Sequence, residues 1–196
     1  MSSRSLLIAV ALVAACRSDG AHYYTLVAAP TDTPAPLTND LQLDVLPVDV
    51  PADVDRAEIV VRSTDGEVTP VETRAWIAPL SRELRHGLSD DLTRMLGARD
   101  IAGLTPADGV PVIRIKLAVQ RFESLLGKRA VIEAISTIRD SSSTAPVLVC
   151  SHRASEDAKA GYGGLAEAHQ RALATIAKQV ADSVRAIRAG APACAK

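Results

Sequence analysis

Aromatic side chains are nearly missing from this chain: one Trp, one Phe and three Tyr among 196 residues. So few rings exclude an aromatic platform for stacking bases or sugars. An excess of one charge is missing too. Lys and Arg total 22 against 23 Asp and Glu, a formal net charge of −1. Acids are interspersed among the arginines throughout, so there is no electrostatic case for nucleic acid. Cysteine is limited to Cys16, Cys150 and Cys194, and histidine to four scattered residues; neither has the spacing of a zinc site, and no metal or cofactor is implied. Catalytic signatures are absent as well. Gly161-Tyr162-Gly163-Gly164 has no GK[ST] tail and no strand–glycine–helix unit with a downstream acid, and reads as a flexible joint leading into the last helix. Ser81, Ser89 and Ser141 to Ser143 lack a nucleophile elbow and a His at recognisable spacing. His86 and His169 read as helix-flank residues, and Glu67 and Glu72 as solvent-facing neighbours of an edge strand. The chain reads as a non-enzyme.

What is present begins at the N-terminus. Met1-Ser2-Ser3-Arg4 supplies one positive charge, and Leu6 to Ala15 is an apolar run too short to span a bilayer comfortably. Small residues then precede Cys16 in Val13-Ala14-Ala15-Cys16. This is the layout of a bacterial lipobox, in which the cysteine is lipidated and becomes the first mature residue. The alternative is an ordinary signal peptide cut at an Ala-rich site. Losing Arg4 with the leader moves the side-chain balance from −1 to −2. Residue 17 is Arg, not the Asp that holds such lipoproteins at the inner membrane, which favours the periplasmic face of the outer membrane. Arg17 to Ala21 form a tether of about 17 Å at full extension, keeping the domain near the headgroups.

The remainder, 22–196, reads as a single α+β domain. His22–Val27 is aromatic and β-branched, a strand, followed by a Pro-rich loop from Ala28 to Asp40. Leu41, Leu43 and Val45 alternate with polar residues; Glu58–Arg62 is a second short strand, and Val68–Thr73 is confined to an edge by Pro70. A helix follows, with Leu80, Leu84, Leu88, Leu92 and Met95 or Leu96 on its apolar stripe, Arg82, Glu83, Arg85 and Asp90 facing elsewhere, Pro79 at its start and Gly97 at its end. Ile113, Ile115, Leu117 and Val119 make the clearest strand, and the phase break at Phe122 predicts a bulge near Gln120. A hairpin through Ser124–Gly127 leads to a strand over Lys128–Arg139, then a serine-rich turn and a strand at Val147–Cys150. A long helix from about Gly164 to Ile187 closes the chain. The expected architecture is a mainly antiparallel sheet with two amphipathic helices packed on one face.

Three further residues carry expectations. Cys150 and Cys194 form an even pair in an exported chain, compatible with one disulfide, or with two thiols near a frayed tail. Trp76 lies immediately before the first helix, either as a hydrophobic plug beneath the helix start or as a contact anchor for a partner.

Three blocks together resemble one family. Tyr23-Tyr24-Thr25-Leu26 follows the lipobox. Val50-Pro51-Ala52-Asp53-Val54-Asp55-Arg56 precedes the strand Glu58-Ile59-Val60-Val61-Arg62. Arg74-Ala75-Trp76-Ile77-Ala78-Pro79-Leu80 leads into helix one. In this order they are similar to the ABC-type transport auxiliary lipoproteins, the PqiC-like family; Val119-Gln120-Arg121-Phe122-Glu123 and the Ala-rich last helix fit as well. Two departures are an extra residue between Arg74 and Trp76, and Ala57 where Pro is common. The resemblance implies a non-enzymatic, lipid-anchored accessory of an envelope lipid transport system. Its partners would be an MCE-domain protein, the associated ABC transporter (permease and ATPase) and, for some members, further copies of itself. It also implies docking at the outer membrane, through sheet edges and the loop near Trp76. The rival readings are an assembly lipoprotein of another envelope complex and an anchored hydrolase using Ser81, His86 or His169.

Overall fold

The structure is a computed structural model that describes residues 20–29, 36–38 and 40–195. The leader over 1–15, Cys16 and the start of the tether lie outside the described residues, as does part of the Pro-rich loop.

In chain order the elements are β1 (His22–Tyr24), β2 (Gln42–Val45), β3 (Glu58–Thr64), β4 (Glu67–Trp76), α1 (Leu80–Leu96), β5 (Arg99–Asp100), β6 (Val112–Leu125), β7 (Arg129–Asp140), β8 (Leu148–Asp157) and α2 (Gly161–Arg188). They form an α+β fold of two sheets, ordered β5-β2-β6-β7-β8 and β1-β4-β3. The β6-β7, β7-β8 and β3-β4 pairs are antiparallel, whereas the short strands β1, β2 and β5 pair in parallel. β5 was not readable in the sequence, because two residues carry no period.

The large sheet has one buried face. Ile113, Ile115, Leu117 and Val119 point into it from β6, and Ala130, Ile132, Ala134 and Ile138 from β7. Register then slips between Val119 and Arg121. The extra residue at this bulge brings Phe122 and Ser124 to the buried side, as the phase break predicts. The β6-β7 turn closes through Gly127 at φ 66°, a left-handed position that suits glycine.

Both helices cover this face. α1 ends at Gly97, whose φ of 61° forms a left-handed cap with its N–H bonded to the Thr93 carbonyl. The helices run parallel: Gly87 of α1 lies against Leu173 of α2, and Arg185 reaches the Met95 carbonyl at 2.7 Å. Leu80, Leu84, Leu88 and Leu92 interlock with Leu165, Leu173, Ile176 and Val180 in one hydrophobic cluster that also takes in Ile59 and Trp76 from the small sheet. An ion pair at 3.1 Å between Arg62 on β3 and Glu123 on β6 ties the two sheets together.

Three expectations need correction. β4 is ten residues long and lies in the middle of its sheet. Pro70 is tolerated because β1 pairs only with Arg74 to Trp76, so its imide nitrogen faces no ladder partner on that side. Glu83 does not face outward; it is 2 % exposed, for a reason given below. Gly161–Gly164 is no loose joint but the first turn of α2. Gly164 packs so tightly there that a Cβ would stand 2.6 Å from the Lys159 carbonyl.

Candidate functional site

The N-terminal segment is the part of the domain joined to Cys16, and it is sewn into the fold rather than left as a strap. β1 lies alongside the end of β4, with His22, Tyr23 and Tyr24 opposite Arg74, Ala75 and Trp76. The Ile77 N–H extends this ladder by donating to the Tyr24 carbonyl at 2.8 Å. Beyond β1 the chain dives between the helices, where Leu26 is 2 % exposed. The Glu83 carboxylate accepts from both the Thr25 hydroxyl and the Leu26 N–H at 2.8 Å. From α2, Gln170 Nε2 donates to the Thr25 carbonyl at 2.9 Å. Gly87 makes room for this passage, since a Cβ there would lie 2.9 Å from the Leu26 carbonyl oxygen and 2.6 Å from a Leu173 methyl. A buried carboxylate is stable only with such donors around it. Glu83 thus acts as a latch on this N-terminal segment.

Trp76 sits beneath that segment. It is 2 % exposed, with ring edges against Phe122 at 6.2 Å and His169 at 6.0 Å. A side chain this enclosed has no face left for a partner, so the contact-anchor reading of Trp76 gives way to the plug. Phe122 and His169 stack at 4.0 Å with their planes 7° apart. His169 is fully buried, not on a helix flank. Its Nε2 lies 2.9 Å from the Ser124 hydroxyl, while its Nδ1 is buried without a hydrogen-bond partner. Burial holds its pKa down at about 3, so the ring is neutral at physiological pH. A second buried imidazole, His152, is flanked by Ser136 at 2.7 Å and Gln179 at 2.9 Å; desolvation lowers its pKa against the opposing Gln179 bond. Both are internal polar struts between the sheet and α2.

Other candidates disperse. His86 is exposed on α1. Ser89 and Arg85 both bond Asp100 at 2.6 Å, and the other Asp100 oxygen caps the Val45 and Ala102 amides. That saturated cluster fastens α1 to β5. The Ser81 amide donates to Asp55, Ser142 turns back onto Asp140, and Glu67 and Glu72 are exposed on β4. Asp91 borders a groove of about 460 Å³ between α1 and α2, lined also by Ala28, Met95, Gln170, Arg171 and Ala174. Burial raises its pKa to about 6 against the opposing charge of Arg94, which it contacts. Among the described residues no three His, Cys, Asp or Glu side chains gather as metal ligands, and no helix is long and apolar enough to cross a membrane. At the far end, Cys150 on β8 is bonded to Cys194, with Cα atoms 5.5 Å apart. The tail is further held by the Ala195 N–H donating to the Ser183 hydroxyl of α2 at 3.1 Å.

Sequence reasoning missed the latch and the His169 stack, yet both left a signal. Leu165, His169 and Leu173 are spaced by four, so His169 stands on the apolar stripe itself. Glu83, Gly87 and Asp91 likewise repeat every four residues beside Leu84, Leu88 and Leu92.

Residues 24–181 match the family model for the ABC-type transport auxiliary lipoprotein component. No curated protein matches the chain. Among solved structures, an uncharacterized protein superposes with a TM-score of 0.65 at 19 % identity, covering 84 % of this chain and 99 % of its own. A Xanthomonas campestris protein of the DUF330 family superposes at 0.62 and 20 % identity, covering 82 % and 93 %. At these identities the likeness speaks for the fold.

Proposed function

The chain belongs to the family of ABC-type transport auxiliary lipoprotein components, and from that membership we propose that it is a non-enzymatic, outer-membrane-anchored adaptor of an envelope lipid transport system. In this reading Cys16 carries the acyl chains, the domain stands in the periplasm, and its binding partner is the MCE-domain protein fed by an ABC permease and ATPase. The observation that carries the proposal is the family match, which begins at residue 24, close behind the lipobox cysteine, and runs through most of α2. Arg17 in place of Asp supports the outer membrane. Several acyl chains at about 0.8 kcal/mol per buried CH₂ make such an anchor effectively permanent.

The structure supports an adaptor in one further respect. Three of its buried or half-buried polar groups hold elements together: Glu83 on the N-terminal segment, Asp100 on α1, and His152 between Ser136 and Gln179. A latch of this kind converts a lipid attachment into a defined placement of the domain, which is what a docking part requires.

The test is crosslinking of the tagged, lipidated protein in living cells, followed by mass spectrometry of what is captured. Recovery of an MCE-domain protein is the expected result. Capture of unrelated envelope proteins alone, with the MCE protein expressed but absent, refutes the adaptor and favours an assembly role in another complex.

A further inference from the structure

We propose that the end of the domain bearing Tyr23 and Ile77 rests on the phospholipid surface, with these two side chains at the headgroup boundary. The inference rests on the reading of Cys16 as acylated. Arg17 to Ala21 are the only residues between that cysteine and β1, and five residues reach at most about 17 Å in any conformation. His22 is no mobile point, because β1 is paired to β4 and Thr25–Leu26 are gripped by Glu83 and Gln170. A short leash made fast to a rigid point leaves one end of the domain within reach of the bilayer.

That end exposes apolar side chains. Tyr23 is 63 % exposed and Ile77 66 %. They are ladder neighbours, since Tyr23 lies opposite Ala75 and the Ile77 amide bonds to the Tyr24 carbonyl. A tyrosine ring and a branched aliphatic side by side suit the boundary between headgroups and acyl chains, where amphipathic rings collect. On the other face of the same ladder, Arg74 of β4 lies 5.5 Å over the ring of Tyr162 at the start of α2. Nearby charge is mixed: the Arg56 carbonyl accepts from the Leu80 N–H, the Asp55 carboxylate accepts from the Ser81 N–H, and Glu58 lies opposite Ala75. Apolar contact, not attraction to anionic lipid, therefore carries the association, and neutral phosphatidylcholine suffices as the surface.

The test uses full-length lipidated protein carrying a single fluorophore on Tyr23→Cys, Ile77→Cys or Leu104→Cys. Unsubstituted protein, labelled in parallel, gives the background. Leu104 is 70 % exposed but shares a concavity with Val112 and Arg114, about 26 Å along β6 from Phe122 beside Trp76. All three sites are on the surface, so labelling spares the core. In phosphatidylcholine vesicles containing headgroup-spin-labelled lipid, quenching at 23 and 77 should exceed that at 104 by at least about threefold, since the surface contact is short-ranged. Equal quenching at the three sites, or none at 23 and 77 in protein that carries the acyl mass and floats with vesicles, overturns the inference while leaving the anchor intact. Protein without acyl mass refutes the anchor and the inference together. Labels that remain unquenched on vesicles yet become protected by the crosslinked partner give this end to a protein and also overturn the inference.

Discussion

Acidification should destabilise the domain, with His169 as the largest contributor. Buried between Phe122 and Ser124, it titrates at about 3 when folded instead of its ordinary 6.5. Between those two values the unfolded chain binds a proton that the folded chain refuses, so stability falls as pH falls. At 1.36 kcal/mol per pKa unit the whole window is worth roughly 5 kcal/mol, of which about 2 kcal/mol is lost between pH 7 and pH 5. His152, also held down by burial, acts in the same direction. Asp91, held up at about 6, acts in the opposite one: its folded carboxyl keeps a proton that the unfolded chain releases, so it stabilises as pH drops from about 6 toward 4. The wild-type slope is therefore a sum, and a difference isolates His169. In Ser124→Ala/His169→Phe both polar partners are replaced by apolar groups of similar shape, which leaves no orphaned hydroxyl and preserves the stack on Phe122. Urea unfolding at pH 7 and pH 5, with far-ultraviolet circular dichroism as the probe, should show the double variant losing about 2 kcal/mol less than the wild type over this interval. Equal losses in the two proteins would refute the assignment of a refused proton to His169.

Three further outcomes follow from the geometry. Glu83→Ala leaves the Thr25 hydroxyl and Leu26 amide without their acceptor and should cost about 3 kcal/mol, with Glu83→Gln milder because one amide oxygen remains; the urea midpoints report both. Gly164→Ala pushes a methyl into the Lys159 carbonyl, whereas Gly163→Ala meets nothing within 4 Å. The first should destabilise by about 2 kcal/mol and the second stabilise by about 0.5–1 kcal/mol, an opposition of sign readable from thermal midpoints. For the Cys150–Cys194 bridge, 44 residues apart, reduction should lower stability by up to about 4 kcal/mol on the chain-entropy model. Two reactive thiols in the untreated exported protein would refute the bridge.

The long elements were legible because each carries its period over many residues. The Ile113–Val119 alternation and the Leu80–Leu96 stripe announce β6 and α1, and a single break of phase at Phe122 is enough to locate the bulge. Of the short parallel strands, β1 and β2 were legible as strands and the two-residue β5 was not; the parallel pairing of all three was hidden, because it is set by what they meet in space. The same holds for the buried polar groups. A rule that sends charged residues outward places Glu83 in solvent; only the orphaned amide of Leu26, fifty-seven residues away, explains why it turns inward. His169 stands on the apolar stripe of α2, but its neutrality depends on burial, to which Phe122 and Trp76 contribute from two strands. Trp76 itself was open to two readings in the sequence, and its neighbours decide between them.

The parallel pairing of β1 with β4 also has a mechanical side. Under the proposed anchoring at Cys16, a pull between the membrane and a bound partner would enter this domain at His22. A pull from Cys16 along β1 loads its hydrogen bonds to β4 in shear, all together rather than one after another. Whatever passes beyond them meets Glu83 of α1 and Gln170 of α2 holding Thr25 and Leu26. The load is thus divided among a strand and both helices before it reaches the hydrophobic centre. The domain would drag against its mooring as a whole body, and its fold would not begin to unravel from the end that is tied.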